Sequence, residues 1–430
     1  MQHKITVMKH FLTLLGLLIM VCSCSKDEAE QEPVVPARRT VIVYMAGEND
    51  LSVRYIQDDL NEMKLGRKLV ERNENLVVFV DNASESEKPY IAKITVDGKM
   101  EKLYEYSSDF YTSDADNFAE VLSRCIQLCP ATEDYGLVLW GHASGWIITN
   151  DSIDNSVYDS RRAYGRDTGD NSASGVKGKW LNIPSMRQAL QSLNMKWKFI
   201  FSDCCNMQNI ETAYELKDVA EYLIASPAEI PGKGAPYNTV VPTLFIHNDK
   251  EMYEAICDKY YEQTDTKGGH LPISVIRTDK LNALAVATKA VLPEVVNNLP
   301  HNDYGTGHIF YFCHIKDSWS IYDDRFKTLY DMNDIIRWAT VNDQTAYNTW
   351  KAALDQAVIY KKMSTFWHAN YLESDYTEKS FYDFTVTEEA YGGVSMFFPL
   401  EKYNNGITNF NKDIKKMGWY YAVGWSELGW

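Results

Sequence analysis

The chain of 430 residues carries 45% hydrophobic and 24% charged residues, the composition of a globular protein with length for one large domain plus an appendage, or for two domains. Its net charge of -16 and the lack of any basic block exclude a general nucleic-acid binder, because affinity for phosphate backbones comes from clustered Lys and Arg. The Tyr and Trp content could serve sugar stacking, but large side chains in the core and at seams account for it more simply.

At the amino terminus, Lys4 and Lys9 precede the apolar run Phe11 to Val21, which has the charge and length of a signal-peptide core and is short for a membrane span. The run ends in Val21-Cys22-Ser23-Cys24, which resembles a bacterial lipoprotein cleavage box and makes Cys24 the expected lipidated residue. Ser25-Lys26-Asp27-Glu28 resembles the acidic tether of surface lipoproteins from Bacteroides-type bacteria, and Glu30 to Pro36 reads as a disordered spacer. Residues 1–24 are therefore assigned as leader and anchor, and residues 25–38 as tether. The expected location is the bacterial cell envelope, with the chain anchored by lipid alone to the outer membrane and facing the cell surface.

Beyond the tether, apolar β-branched runs alternate with helical patterns. Arg39 to Met45 reads as a strand, Ile56, Leu60 and Met63 as one helix stripe, and Leu76 to Val80 as the next strand. Phe118 to Leu128 follows as helix, Gly136 to Trp140 as strand, Pro184 to Leu193 as helix and Lys198 to Phe201 as strand. Such alternation predicts an α/β fold, a mostly parallel sheet covered by helices. In such sheets ligands bind beyond the strands' carboxyl ends. Two segments stand there: Trp140-Gly141-His142-Ala143-Ser144-Gly145-Trp146, and Ser202-Asp203-Cys204-Cys205-Asn206-Met207 before a helix read through Ile210, Ala213, Tyr214, Leu216 and Leu223.

Six cysteines remain beyond the leader, at 125, 129, 204, 205, 257 and 313, and their spacing fits neither a disulfide framework nor a zinc site. Cys125 and Cys129 lie four apart on a helical stretch and read as buried residues. Cys205, expected at a helix amino terminus, would have its thiol pKa lowered by unpaired N–H groups. An imidazole at His142 could then protonate a leaving amine. On pattern alone a Cys and a His in one chain are more often a buried thiol and a structural histidine.

These segments resemble the clostripain family of cysteine peptidases, related in fold to caspases and gingipains. Val43-Tyr44-Met45-Ala46-Gly47-Glu48-Asn49-Asp50-Leu51 resembles the family's opening strand and acidic-Asn-x-Leu turn, Leu139 to Trp146 its strand and His-Gly-Ser-Gly-Trp, and Asp203 to Leu216 its Asp-x-Cys-x-Met motif and helix. Leu223 to Ser226 with Glu229 to Gly232, and Gly393 to Pro399, resemble later segments. The resemblance implies a caspase-like α/β/α sandwich with a smaller C-terminal extension. It also implies cleavage after Arg or Lys, Cys205 as nucleophile, His142 as its partner, and Asp203 as the carboxylate that binds the basic side chain. Gly141, Ala143 and Cys205 are the candidate oxyanion-hole positions. Ala143 stands where the family has Gly, and Cys204 adds a rival thiol one residue away. The alternative for Asp203 is a helix cap.

Family members often cut themselves between the histidine and the cysteine. The polar stretch Asn150 to Lys179 holds Arg161, Arg162, Arg166, Lys177 and Lys179, and Arg161-Arg162 is the candidate processing site, unless these residues merely solvate the loop. Some relatives need calcium. Asp151, Asp154, Asp159, Asp167 and Asp170 offer oxygen ligands, but no twelve-residue calcium-loop pattern is present, so no cofactor is expected to be required and no metal ligand is assigned. The expected division places a peptidase core at 39–290 and a region completing or flanking it at 291–430. The aromatic tail from Trp419 reads as a packing strand pair or an exposed patch, with burial favoured. The expected partners are peptide or protein substrates. The rival function is an inactive surface lipoprotein that binds glycan or protein, and a third reading is a related hydrolase with another bond preference.

Overall fold

The computed structural model describes residues 36–84, 86–148, 163–169, 178–263, 270–299, 309–312, 329–365, 386–404 and 410–429. The leader, Cys24 and nearly all of the tether lie outside these residues.

β1 (Ala37–Gly47) is parallel to β2 (Asn75–Asn82) on one side and to β5 (Ala131–Gly141) on the other. Val41 to Met45 are wholly buried, which explains why this strand reads as continuously apolar rather than alternating. Each such side chain contributes roughly 1.5–3 kcal/mol of hydrophobic stabilisation. β8 (Trp197–Asp203) adds to β5 and β9 (Ala220–Ala225) to β8, both parallel. The outer strands are antiparallel: β3 (Tyr90–Ile94) and β4 (Met100–Glu105) extend the β2 side, β10 (Ile273–Arg277) and β12 (Val358–Lys362) the β9 side. The nine strands run β12-β10-β9-β8-β5-β1-β2-β3-β4. The β3–β4 turn uses Gly98 at φ +77, and exposed Glu101, Lys102 and Glu105 put charge on the last strand, a common way to blunt an open edge.

The crossovers are helical. α1 (Ile56–Arg67) buries Ile56, Leu60 and Met63, and α2 (Ala115–Leu128) buries Phe118, Val121, Leu122 and Cys125 behind an Asp114 cap. α3 (Ile183–Ser192) leads to β8 and α4 (Ile210–Leu216) to β9. α5 (Tyr237–Thr243) packs against α1 and α6 (Asp249–Gln263) against α5, while α2, α3 and α4 pack in sequence with one another. The short strands β6 (Tyr164–Asp167) and β7 (Lys179–Leu181) pair with each other.

The C-terminal region is woven into this core. A boundary between 290 and 291 would cut α7 (Leu281–Asn298), which buries residues from Leu281 through Val295. β12 completes the sheet, following α8 (Met332–Ala339) and α9 (Gln344–Ala357). Gly393 to Pro399 contributes only the short β13 (Ser395–Met396), paired with β11 (Tyr330–Asp331), yet this segment is buried throughout. Among the described residues the tail forms no strand pair: after α10 (Phe410–Asp413) comes α11 (Gly418–Ala422), and Trp419 and Trp425 are buried. Apolar side chains recurring over one helical turn, rather than alternating, explain the difference.

Candidate active site

β8 ends at Asp203, and the chain turns through Cys204 to Asn209 before α4 begins. The two neighbouring thiols meet opposite surroundings. Cys204 is wholly buried, its thiol donates to the Leu139 carbonyl at 3.2 Å, and burial pushes its pKa well above the ordinary thiol range. A thiol so placed is a core residue, since the thiolate is the reactive form. Cys205 is partly exposed. The Ile230 N–H, in the loop after β9, points at its sulfur at 3.4 Å, and the Ile230 carbonyl lies 3.7 Å away.

Cys205 does not stand at a helix amino terminus. Asn206 is left-handed, with φ +59, and its N–H donates to Ala228. Asn209 then caps α4 by accepting from the Thr212 N–H at 2.8 Å, so the first-turn field of α4 opens four residues past the thiol. Leu223 belongs to β9, not to this helix. The absence of Gly or Pro between Cys205 and Leu216 hid the turn, although two asparagines signal it.

The turn is braced from within. Gln208 donates its side-chain amide to the Ser274 carbonyl at 2.8 Å and to the Leu223 carbonyl at 3.3 Å, and its backbone carbonyl accepts from the Ser395 N–H at 3.1 Å. Buried Glu211 accepts from the Phe397 N–H at 2.8 Å. The late Gly393–Pro399 segment thus acts as the backing of the cysteine loop.

His142 follows β5, the strand beside β8, with Trp140 in register with Asp203. Its Nε2 meets the Asp50 carboxylate at 3.0 Å, and this hydrogen bond is the main reason the Asp50 pKa falls to about 2. Arg166 stands 3.8 Å from the same oxygen. In the sequence Asp50 is only one member of the motif that follows the first strand. The signal for it was Asn49, whose side chain closes the turn beyond β1 by accepting from Leu51 and donating to Ala46. Gly145, at φ +73, abuts the cysteine loop: a Cβ there would lie 2.7 Å from the Asn206 carbonyl and closer still to the Asn209 amide. This contact brings the His142 and Cys205 loops together. Trp146 anchors the other end against Phe397, ring centroids 4.8 Å apart.

Among the oxyanion candidates, the Gly141 N–H favours the charged form of Cys204 and so is directed at the buried thiol. The bridge between Ala143 and Tyr164 is closed by the Ser144 and Gly165 N–H groups, and neither bond uses the Ala143 N–H. Asp203 is not a cap of α4. It is buried, and one oxygen, Oδ2, accepts from the Ala235 N–H at 3.0 Å and the Tyr237 hydroxyl at 2.8 Å. Oδ1 has no hydrogen-bond partner among the described residues. Burial pushes this carboxyl up to about 6 against the lowering effect of those two bonds. Gly234 has φ +56, and a side chain there would collide with the Asp203 carboxylate. Asp59 lies close by, donated to by the Trp140 ring N–H at 2.6 Å and pushed up to about 9 by burial and then by Asp203.

Arg161, Arg162, Lys177, Asp151, Asp154, Asp159 and Asp170 lie outside the described residues. Lys179 pairs with Asp114. Asp167 is no solvated loop carboxylate: it is buried and accepts from the Thr112 hydroxyl at 2.8 Å and the Gly169 N–H at 2.8 Å.

The model of the clostripain family matches residues 43–430. The chain belongs to the clostripain family. It is similar to a solved secreted C11 cysteine protease from Bacteroides thetaiotaomicron bound to an irreversible peptide inhibitor, at 29% identity over 91% of this chain and 100% of that one, with a TM-score of 0.71. An inactive zymogen C11 protease from Parabacteroides distasonis shares the fold at 24% identity, covering 90% and 99% of the two chains, TM-score 0.70. A second secreted C11 protease from Bacteroides thetaiotaomicron does so at 19% identity over 90% and 99%, TM-score 0.66. Among curated proteins none matches significantly. The clostripain-family chain is accordingly a cysteine peptidase acting on peptide or protein substrates, and among its described residues no helix is long and apolar enough to cross a membrane.

Proposed function

We propose that this peptidase is an endopeptidase that cleaves after Arg or Lys, with Cys205 as nucleophile, His142 as general acid and Asp203 at the base of the primary specificity pocket. The Cys205 sulfur attacks the scissile carbonyl, and as the C–N bond breaks the imidazolium of His142 gives its proton to the departing amine, leaving a thioester. Water then attacks the thioester, its proton passing to His142, and the acid product leaves as the thiolate returns. Asp50, bound to Nε2, orients the ring and leaves the other ring nitrogen for this proton traffic. The N–H groups of Ala143 and Cys205 are the oxyanion donors this reading assigns.

The observation that carries the specificity is the buried Asp203 carboxylate with its unpartnered Oδ1. Such a charge is costly until a cation meets it, and a guanidinium or ammonium from substrate supplies charge-assisted hydrogen bonds. The reading also includes autoprocessing at Arg161-Arg162 and a lipid anchor at Cys24. Cleavage of fluorogenic Arg, Lys, Asp and Ala peptides, with a gel to follow chain splitting, tests it. Turnover of Arg or Lys peptides alone is expected. Equal cleavage after Ala or Asp would remove the specificity assignment, and no turnover at all, even after mild proteolytic activation, would favour a binding lipoprotein.

A further inference from the structure

On the same rim as His142, but two strands away, a group of carboxylates gathers that the peptidase reaction does not use. Asp81 ends β2 in register with Ala46, Glu48 follows β1, and Asp109 lies in the connection from β4 to α2. One carboxylate oxygen from each can be chosen so that all three lie within 4.8 Å of one another. Oxygens that share one calcium or magnesium ion, each about 2.1–2.4 Å from it, lie no farther apart than this. Asp167 is close enough to raise the pKa of Asp81.

A cluster of acids alone could be solvated surface, but this one is not. Asp81 is wholly buried, and neither of its carboxylate oxygens has a partner at hydrogen-bond geometry among the described residues; the Thr112 hydroxyl, which donates to Asp167 at 2.8 Å, lies near enough only to offset a little of the upward push on Asp81. No Lys or Arg forms an ion pair with Asp81 or Asp167 among those residues. Burial, followed by the charges of Asp167 and Glu48, disfavours ionised Asp81, as expected where several like charges share a low-dielectric site without a counter-charge.

We infer that Glu48, Asp81 and Asp109, with Asp167 alongside, form a binding site for a hard divalent cation. The all-oxygen donor set excludes a preference for soft metals. Of the carboxylates of the 150–170 stretch, Asp167 alone among the described residues belongs to the site; the other three members come from β2 and from the connections after β1 and β4. Its occupancy would reach the reaction centre through two short links. Glu48 and Asn49 lead directly into Asp50, and Thr168 is tied to Glu48 by a hydroxyl bond of 2.6 Å. Asn49 also donates to the Arg166 carbonyl at 2.8 Å. A cation would therefore fix both β6 and the turn that presents Asp50 to His142.

The test uses the full-length protein stripped with chelator, read by calorimetric titration and thermal unfolding in calcium or magnesium, beside Asp81→Asn and Asp109→Asn. Stoichiometric calcium binding and a rise in Tm of a few degrees at saturating ion are expected, with both effects lost or weakened at least tenfold in affinity in each variant. The unliganded Asp81→Asn protein should melt no lower than the stripped parent, because the substitution removes repulsion and keeps the shape. Absence of binding by the parent, or binding undiminished in Asp81→Asn and Asp109→Asn, would overturn the site.

Discussion

The loop carrying Cys205 and the loop carrying His142 leave adjacent strands, yet they are held differently. The cysteine loop is fastened from inside the core, by Gln208 to Ser274 and Leu223, by Ser395 to Gln208 and by the Asn209 cap. The histidine is oriented from the solvent side by Asp50, whose side chain is 64% exposed. Buried networks resist local change, whereas a rim contact shifts at little cost to the fold. The position of Cys205 is thus a property of the fold, and the orientation of His142 a property of a rim contact.

The sharpest way to break this comparison is at Asp203, which belongs to the buried side but faces substrate in the proposed reading. Asp203→Asn should lower kcat/KM for Arg and Lys peptides by about 100-fold or more. A carboxylate pushed up to about 6 must ionise to bind a cation, so kcat/KM for basic peptides should rise with pH through that region in the parent. The variant should lose this limb. The stability sign is opposite: the folded state holds the proton more tightly than the unfolded chain, so Asp203 makes folding less favourable as pH rises from about 4 to 6. Melting curves across that range in parent and Asp203→Asn check it.

Next in size, Asp50→Ala should reduce kcat by roughly 10-fold to 100-fold while KM and Tm stay near the parent values. A large loss of Tm instead would place Asp50 among the structural residues. Gln208→Ala should show the converse, a loss of stability of roughly 1–3 kcal/mol from the buried acceptors left unpaired, measured by denaturant unfolding. The smallest effect belongs to Cys204→Ala. Its thiol is buried against Leu139, so about 1 kcal/mol of stability should go while kcat/KM changes only a few-fold.

Much of this was legible in the sequence because the central strands are buried on both faces and announce themselves as unbroken apolar runs, as at Val41 to Met45. The site segments stood out for the same reason, since each directly follows such a strand. The β3–β4 hairpin and β12 escaped because edge strands carry charge: Lys93, Glu101, Lys102, Lys361 and Lys362 break the apolar signal. Asp50 escaped because its role depends on β1 and β5 being neighbours, a fact of pairing and not of local sequence. The Glu48, Asp81 and Asp109 cluster escaped likewise, its members coming from three separate stretches of the chain. The helix expected at Cys205 failed on a single backbone angle, the left-handed Asn206.

The central claim is that one of two adjacent cysteines is reactive and the other is core. It is tested most directly by treating the protein with an electrophilic peptide ketone bearing Arg at its reactive end, then locating the adduct by fragmentation mass spectrometry in the parent, Cys205→Ala and Cys204→Ala. The account predicts a single thioether on Cys205 in the parent, preserved in Cys204→Ala and absent from Cys205→Ala. Modification of Cys204 in the parent, or labelling that survives in Cys205→Ala, would contradict it.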